Sequence, residues 1–293
     1  MSADGLLKEM SGAAFGAFRL SEAAKIYEEM LIDKRAKKFF GLAGAMVPAG
    51  LKLVIVDMIR QGYVDVFVTT GANLVHDLVE AFNGRHYKGS CIVNDRALYK
   101  KGISRIYDVY TPAEHFDLLE ENLMRILKEI DKKELSIREL LYEIGIRVEN
   151  KNSILRAAAE KNIPVFCPAF ADSMIGLHTW LHSQTEGIVI NALKDMKEIS
   201  DICFTSGRNG ALIVGGGVPK NFIFQSMLMS PNYFSYAIQI TTDRPESGGL
   251  SGATLEEAIS WGKVASNAKT VTVYCDATIA LPIILAAVRS RIR

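Results

Sequence analysis

Short apolar runs of strand length recur along the chain, each close to a stretch with helical spacing. They lie at 64–68, 164–167, 187–190, 202–205, 211–214, 236–241 and 270–274. A run that is apolar at every position, rather than at every second one, marks a strand buried on both faces. Strands of that kind alternating with helices argue an α/β fold: a central, mostly parallel sheet with helices on both faces, Rossmann-like in its layering. Further helices are expected at 20–40, 51–61, 74–82, 114–132, 137–148 and 152–161. In the first of these, Ala23, Ile26, Tyr27, Met30 and Leu31 form the buried face. Residues 83–112 show no regular period; their lysines, arginines and tyrosines read as a solvated excursion. No repeat, linker or low-complexity segment divides the 293 residues. The expectation is one domain, with 1–40 as an N-terminal helical extension.

Composition removes several functions. The 34 basic and 33 acidic residues leave a net charge of +1, so no bulk field favours nucleic acid or a membrane surface. The longest apolar stretch near the C-terminus, 279–288, contains Pro282 and is too short to span a bilayer. The N-terminus lacks the basic-then-apolar order of a signal peptide. The four cysteines form no CxxC pair, and three sit in apolar runs, which points to reduced core thiols and a cytoplasmic location.

Two strand-to-helix turns are built from small residues. The first is Thr69-Thr70-Gly71-Ala72-Asn73 after 64–68; the second is Gly215-Gly216-Gly217 after 211–214, with Pro219 suited to a first helical turn. Such turns place backbone amides at a helix N-terminus, where phosphates bind. Neither is GxGxxG, so the generic dinucleotide fingerprint is absent. Asp276-Ala277 follows the last strand; Asp276 suits either a ribose diol or a helix N-cap. Asp172, after 164–167, likewise reads as a ligand contact or a cap.

The densest local pattern is 251–264. Thr254 with Glu257 forms a capping-box pattern, so a helix starts at Leu255 and runs along Ala258, Ile259 and Gly262. Lys263 follows Trp261, one of two tryptophans. An amine held against an aromatic wall loses hydration of its charged form, and a neutral amine attacks carbonyls and imines. The plain alternative is a solvated lysine at a helix C-terminus.

The runs SGATLEEAISWGK and TVTVYCDATIALPIILA resemble the C-terminal signature of the deoxyhypusine synthase family. The resemblance reaches from about residue 40 to the C-terminus. It implies the deoxyhypusine synthase fold and NAD as cofactor. Lys263 would form an imine with the aminobutyl group of spermidine, walled by Trp261. NAD would be bound by Thr69, Thr70, Gly71, Asp77, Asp172, Gly215, Gly216, Gly217, Asp276 and Ala277. It also implies a homotetramer with active sites between subunits.

Departures from the family pattern concentrate where a polyamine would bind. Leu250 replaces an aspartate, Asn221 a histidine, Leu177 an aspartate and His76 a glutamate, and 44–49 is apolar. Unpaired ammonium groups in a pocket lose their hydration, so lost carboxylates matter. Asp243, Glu246 and Glu257 remain as replacements, and His178 is a candidate for the missing histidine. This pattern resembles the synthase-like branch of bacteria and some archaea, and implies NAD-dependent aminobutyl transfer to a small amine such as that yielding homospermidine. Three alternatives stand beside it. One is deoxyhypusine synthesis on the hypusine-bearing translation factor. Another is hydrolysis of an agmatine-type guanidine, with a metal on His178 and His182. The last is a non-catalytic NAD-binding paralogue.

Overall fold

The structure, a computed structural model, describes residues 1–292 and contains two compact units. The first unit comprises Met1–Ala43, Gly62–Val68 and the chain from Leu193 onward; the second comprises Gly44–Gln61 and Thr69–Ala192.

The elements of the first unit follow in chain order. They are α1 (Ala3–Met10), α2 (Phe15–Ile32), β1 (Ala36–Leu42), β2 (Val66–Thr69) and α3 (Leu193–Thr205), then β3 (Arg208–Val214), α4 (Gly217–Gln225), β4 (Phe234–Thr241), α5 (Leu255–Ser260), β5 (Val264–Tyr274) and α6 (Ala277–Arg291). The last residue of β2 passes into the second unit. Within the first unit the sheet order is β5-β4-β3-β1-β2. β1 pairs parallel with β3 from Ala36↔Arg208 to Leu42↔Val214, and β4 pairs parallel with both β3 and β5. β3 and most of β4 are buried at successive positions because both faces are covered. A Cβ on Gly210 would run into Met30 of α2, whereas Ile213, three residues on and so on the opposite face, lies beside Ile223 of α4 across Gly41. Phe39, Phe224 and Phe234 pack edge to face in the core, with centroids 5.4 and 5.2 Å apart.

The chain moves from β1 outward to β2, then returns to β3 on the other side of β1 and continues to β4 and β5. The direction of winding therefore reverses between β1 and β3. In open α/β sheets the crevice at the carboxyl ends of two such strands is where ligands bind.

The second unit is mainly helical, with helices at Lys52–Arg60, Gly71–Ala81, Glu114–Lys128, Ile137–Arg147, Ile154–Glu160 and Met174–Glu186. Ser136 and Glu139 close a reciprocal capping box on the fourth of these. Residues 83–112 are more ordered than their sequence suggests: Tyr87–Lys88, Ile103–Ile106 and Val109–Pro112 form an antiparallel sheet beside the helix Asp95–Lys100.

Two expected elements are corrected. The helix expected over 20–40 ends at Ile32, and β1 begins at Ala36. Lys37 and Lys38 hid that strand. Lys37 is exposed, and Lys38 sits 3.2 Å from Asp65, so the charges leave the sheet while Phe39 and Phe40 stay in it. The run 202–205 is not a strand but the end of α3, where Ile199 and Cys203 bury the same helical stripe. Among the described residues no helix is long and apolar enough to cross a membrane.

Candidate functional site

The glycine turn of the first unit sits at the carboxyl end of β3, at the winding reversal. Gly215 and Gly217 adopt left-handed φ values of 72° and 55°, which side chains with a Cβ disfavour. A Cβ on Gly216 would overlap Ser251 Cα. The turn thus needs glycine twice over: to bend, and to admit the Ser251 segment. α4 starts at Gly217 with no side-chain cap, so its first amides stay available to an anion. Asp276 caps α6 through Oδ1, which accepts from Thr278 N and Oγ1, both at 2.7 Å. Its second carboxylate oxygen stays clear of the cap. The cap reading of Asp276 is therefore realised without consuming the group, and Ala277 is the first residue of the helix. An uncapped helix N-terminus at the winding reversal and a half-used aspartate at the end of β5, two strands along the sheet, fit a dinucleotide.

The segment 251–264 folds as a short helix with a defined stop. Thr254 accepts from Glu257 N at 3.1 Å, giving one half of the expected capping box. The Glu257 carboxylate lines a cavity instead of returning to the cap. At the other end Gly262 takes φ +66°. Gly262 N–H donates to Ile259 O at 2.9 Å and Lys263 N–H to Ala258 O at 3.0 Å. Those two bonds form a Schellman motif, which explains the glycine in Trp-Gly-Lys. Phe234 N–H then donates to Lys263 O at 3.3 Å, tying the lysine to the start of β4. Its backbone is fixed on both sides while its side chain projects.

That side chain lines a cavity of about 350 Å³ between α4 and α5, shared with Lys220, Asn221, Leu250, Glu257 and Trp261. Lys263 Nζ lies 5.4 Å from the Trp261 ring centroid, a cation–π distance. Apolar wall comes from Phe224, Leu228 and Leu250. Glu257 is the one carboxylate in the lining. Asp243 and Glu246 are not brought there: Asp243 Oδ1 accepts from Arg244 N at 2.9 Å, and Glu246 stands on an exposed turn, Pro245–Ser247.

Lys220 is the cavity residue that sequence reasoning missed. It is 5 % exposed. Its ammonium donates to Gln239 Oε1 at 3.0 Å, to Leu250 O at 3.2 Å and to Ala253 O. Burial draws its pKa down to about 8, opposed by Glu257 and reinforced by Lys263. Its position on the fourth helical residue after a glycine turn was the available signal.

In the second unit the Thr69-Thr70-Gly71 turn opens the helix Gly71–Ala81, which also lacks a side-chain cap. A Cβ on Gly71 would overlap Ser173. Asp172 is exposed, and the cap of the helix Met174–Glu186 is Ser173, not Asp172. Asp77 is wholly buried and caps the helix Ile154–Glu160, accepting from Ser153 Oγ (2.7 Å), Ile154 N (2.8 Å) and Leu155 N (3.1 Å). The structure thus gives Asp77 a structural task as the cap of that helix. Burial raises its pKa to about 6, against those three hydrogen bonds.

His178 is 4 % exposed, and neither ring nitrogen has a hydrogen-bond partner; His182 Nδ1 is also unpartnered. Among the described residues no group of three metal-ligating side chains forms around them. A relay that sequence reasoning did not foresee runs through His76, His86, Glu80 and Lys52. His86 Nε2 meets His76 Nδ1 at 2.8 Å and His86 Nδ1 meets Glu80 Oε1 at 2.7 Å, while Lys52 pairs with Glu80. Burial, and then the neighbouring His86, lower the His76 pKa to about 4, with Glu80 opposing.

Comparison with known proteins adds an independent line. The deoxyhypusine synthase family model matches residues 5–288. The chain is 55% identical over 292 residues to a Methanosarcina mazei protein named probable deoxyhypusine synthase 1, covering 100% of this chain and 92% of the relative. It is 48% identical to the probable deoxyhypusine synthase 1 of Archaeoglobus fulgidus, covering 96% and 92%. Among solved structures, an Entamoeba histolytica protein assigned as a deoxyhypusine synthase superposes with TM-score 0.69 at 17% identity, covering 99% of this chain and 94% of that one. AgrE, solved with ornithine and NAD+, shares the fold over 34% of its own length, with TM-score 0.58 and 15% identity.

Proposed function

The chain belongs to the deoxyhypusine synthase family of NAD-dependent transferases, and on that premise we propose that it transfers the aminobutyl group of spermidine to a lysine of the hypusine-bearing translation factor. The observation that carries the proposal is the placement of Lys263. A Schellman cap fixes its backbone, and its amine opens into a cavity with one carboxylate and an aromatic wall. Glu257 pairs with the ammonium end of the four-carbon chain. Phe224, Leu228 and Leu250 take up its methylenes. Trp261 walls the reacting end. Lys263 Nζ attacks the carbon of the carbon–nitrogen double bond in the oxidised chain, and the old carbon–nitrogen bond breaks to release the three-carbon half of spermidine as 1,3-diaminopropane. Lys263 holds the four carbons as an imine until the acceptor amine displaces it, which divides one difficult transfer into two easier ones. NAD, when bound, accepts the hydride from the donor and returns it to the product.

In the first unit, Gly215, Gly216 and Gly217 with the α4 amides would hold the pyrophosphate, and Asp276 and Ala277 the adenosine ribose. In the second unit the Thr69-Thr70-Gly71 turn offers the same kind of anion site, and Asp172 a carboxylate with no capping duty. Lys263 precedes β5 and Asp276 follows it. The eight residues of β4 alongside set these two positions roughly 25 Å apart at the usual strand rise. That span supports active sites completed between subunits, as in the homotetramer that the family resemblance implies.

Labelled spermidine, NAD and the purified translation factor test the reading: label on the factor's lysine supports it. Borohydride trapping should place an aminobutyl mass on Lys263, and Lys263→Ala should lose both while still binding NAD. A second reading is favoured by one observation: Leu250 and Asn221 line the cavity, leaving Glu257 as its sole carboxylate. A pocket so reduced suits a small amine acceptor, and label in homospermidine rather than on the factor would select it.

A further inference from the structure

Lys220 has no part in the transfer chemistry above, yet it is the most buried cation of the cavity. Its three N–H groups reach three acceptors on different segments: the Gln239 side chain of β4, and the backbone carbonyls of Leu250 and Ala253. Gln239 is itself fully buried. Its Nε2 donates to Gly215 O at 3.0 Å and to Ser251 O at 2.8 Å, and Thr241 Oγ1 donates to Ser251 O at 3.3 Å. The carbonyls of residues 250, 251 and 253 are therefore satisfied by side chains, not by a ladder or a helix. The next residue, Thr254, caps α5, and α5 is only six residues long. Whatever sets residues 250–253 sets the start of α5 and, through its Schellman stop, Lys263.

We propose that Lys220 is a positioning residue for Lys263: its buried ammonium clamps residues 250–253 to β4 and so fixes the helix that delivers the nucleophile. The proposal rests on Lys263 being the imine-forming residue. Gln239 is the second half of the clamp. The geometry distinguishes this from a general packing role, because three N–H donors meet three acceptors and a methylene chain of equal length meets none.

The test measures borohydride-trapped aminobutyl adduct on Lys263, with spermidine and saturating NAD, in wild type, K220M, K220R, Q239L and K220M/Q239L, each checked by thermal melt. A displacement of the nucleophile by an ångström predicts a fall in adduct-formation rate of about a hundredfold in K220M. The spermidine KM should change much less, K220R should recover most of the rate, and the double variant should be no slower than K220M. A folded K220M that forms adduct at the wild-type rate overturns the proposal, as do K220M and Q239L effects that multiply. If K220M does not fold, Q239L at the wild-type rate overturns it in the same way. Absence of adduct in wild type removes the Lys263 assignment and this inference with it; adduct in wild type and K220M alike removes the inference alone.

Discussion

Replacing His178 by leucine should stabilise the protein. The imidazole is 4 % exposed, and both its nitrogens are buried without a partner. A neutral ring carries one donor and one acceptor, and each polar group left unsatisfied in an interior costs about 1–3 kcal/mol. Leucine removes both and is a better helix former at this mid-helix position. A net gain of about 1–2 kcal/mol follows, since repacking takes back part of it. For a chain of this length that corresponds to a melting shift of roughly 2–4 °C. His182, one turn along the same helix, has one unpartnered nitrogen, so His182→Leu should gain less. Differential scanning calorimetry of the two variants beside wild type reads both shifts and their order. A His178→Leu protein that melts earlier than wild type would show that the ring nitrogens do have partners. A variant that melts later but no longer forms the Lys263 adduct would restore His178 as the substrate-contacting histidine expected from the sequence.

Gly216→Ala should cost about 1–3 kcal/mol by overpacking against Ser251 and slow adduct formation with it; an unchanged melt would mean the segment can yield freely. Asp77→Ala removes a buried cap that accepts three hydrogen bonds and should cost about 2 kcal/mol, seen as faster hydrogen exchange in Ile154–Glu160. The pH response of His76 and Asp77 should nearly cancel. His76 has its folded pKa lowered to about 4, so its contribution is present above its unfolded value and lost as pH falls through 4. That is on the order of 3 kcal/mol. Asp77 has its folded pKa raised to about 6, so its contribution is present below the unfolded value and lost as pH rises through 6. Urea unfolding of His76→Gln should therefore reveal stability that rises from pH 6.5 to pH 4.5, where wild type is nearly flat; equal slopes in the two proteins would refute the assignment.

What could be read from sequence divides along physical lines. β3 and β4 were legible because strands buried on both faces leave largely apolar runs, and β5 through Val271 and Val273 at its buried end. β1 was not, although it lies at the winding reversal, because Lys37 and Lys38 occupy its entry and mimic a helix surface. Thr254 announced the start of α5, since a cap is local and its chemistry sits in adjacent residues; Gly262, expected to continue the helical stripe, instead ends the helix with its left-handed φ. The capping role of Asp77 was illegible for the opposite reason: its partners, Ser153 to Leu155, are more than seventy positions away, and nothing near it in sequence signals them. Lys220 shows the same limit most sharply. A lysine in a helix reads as a solvated side chain unless its acceptors are visible, and two of its three acceptors are the backbone carbonyls of Leu250 and Ala253, the third being the Gln239 side chain. Backbone carbonyls carry no residue identity, so a cation that binds them leaves almost no trace in the letters around it. Lys263, the proposed nucleophile, is thus conspicuous in the sequence, whereas Lys220, proposed to hold it in place, becomes apparent only once the chain is folded.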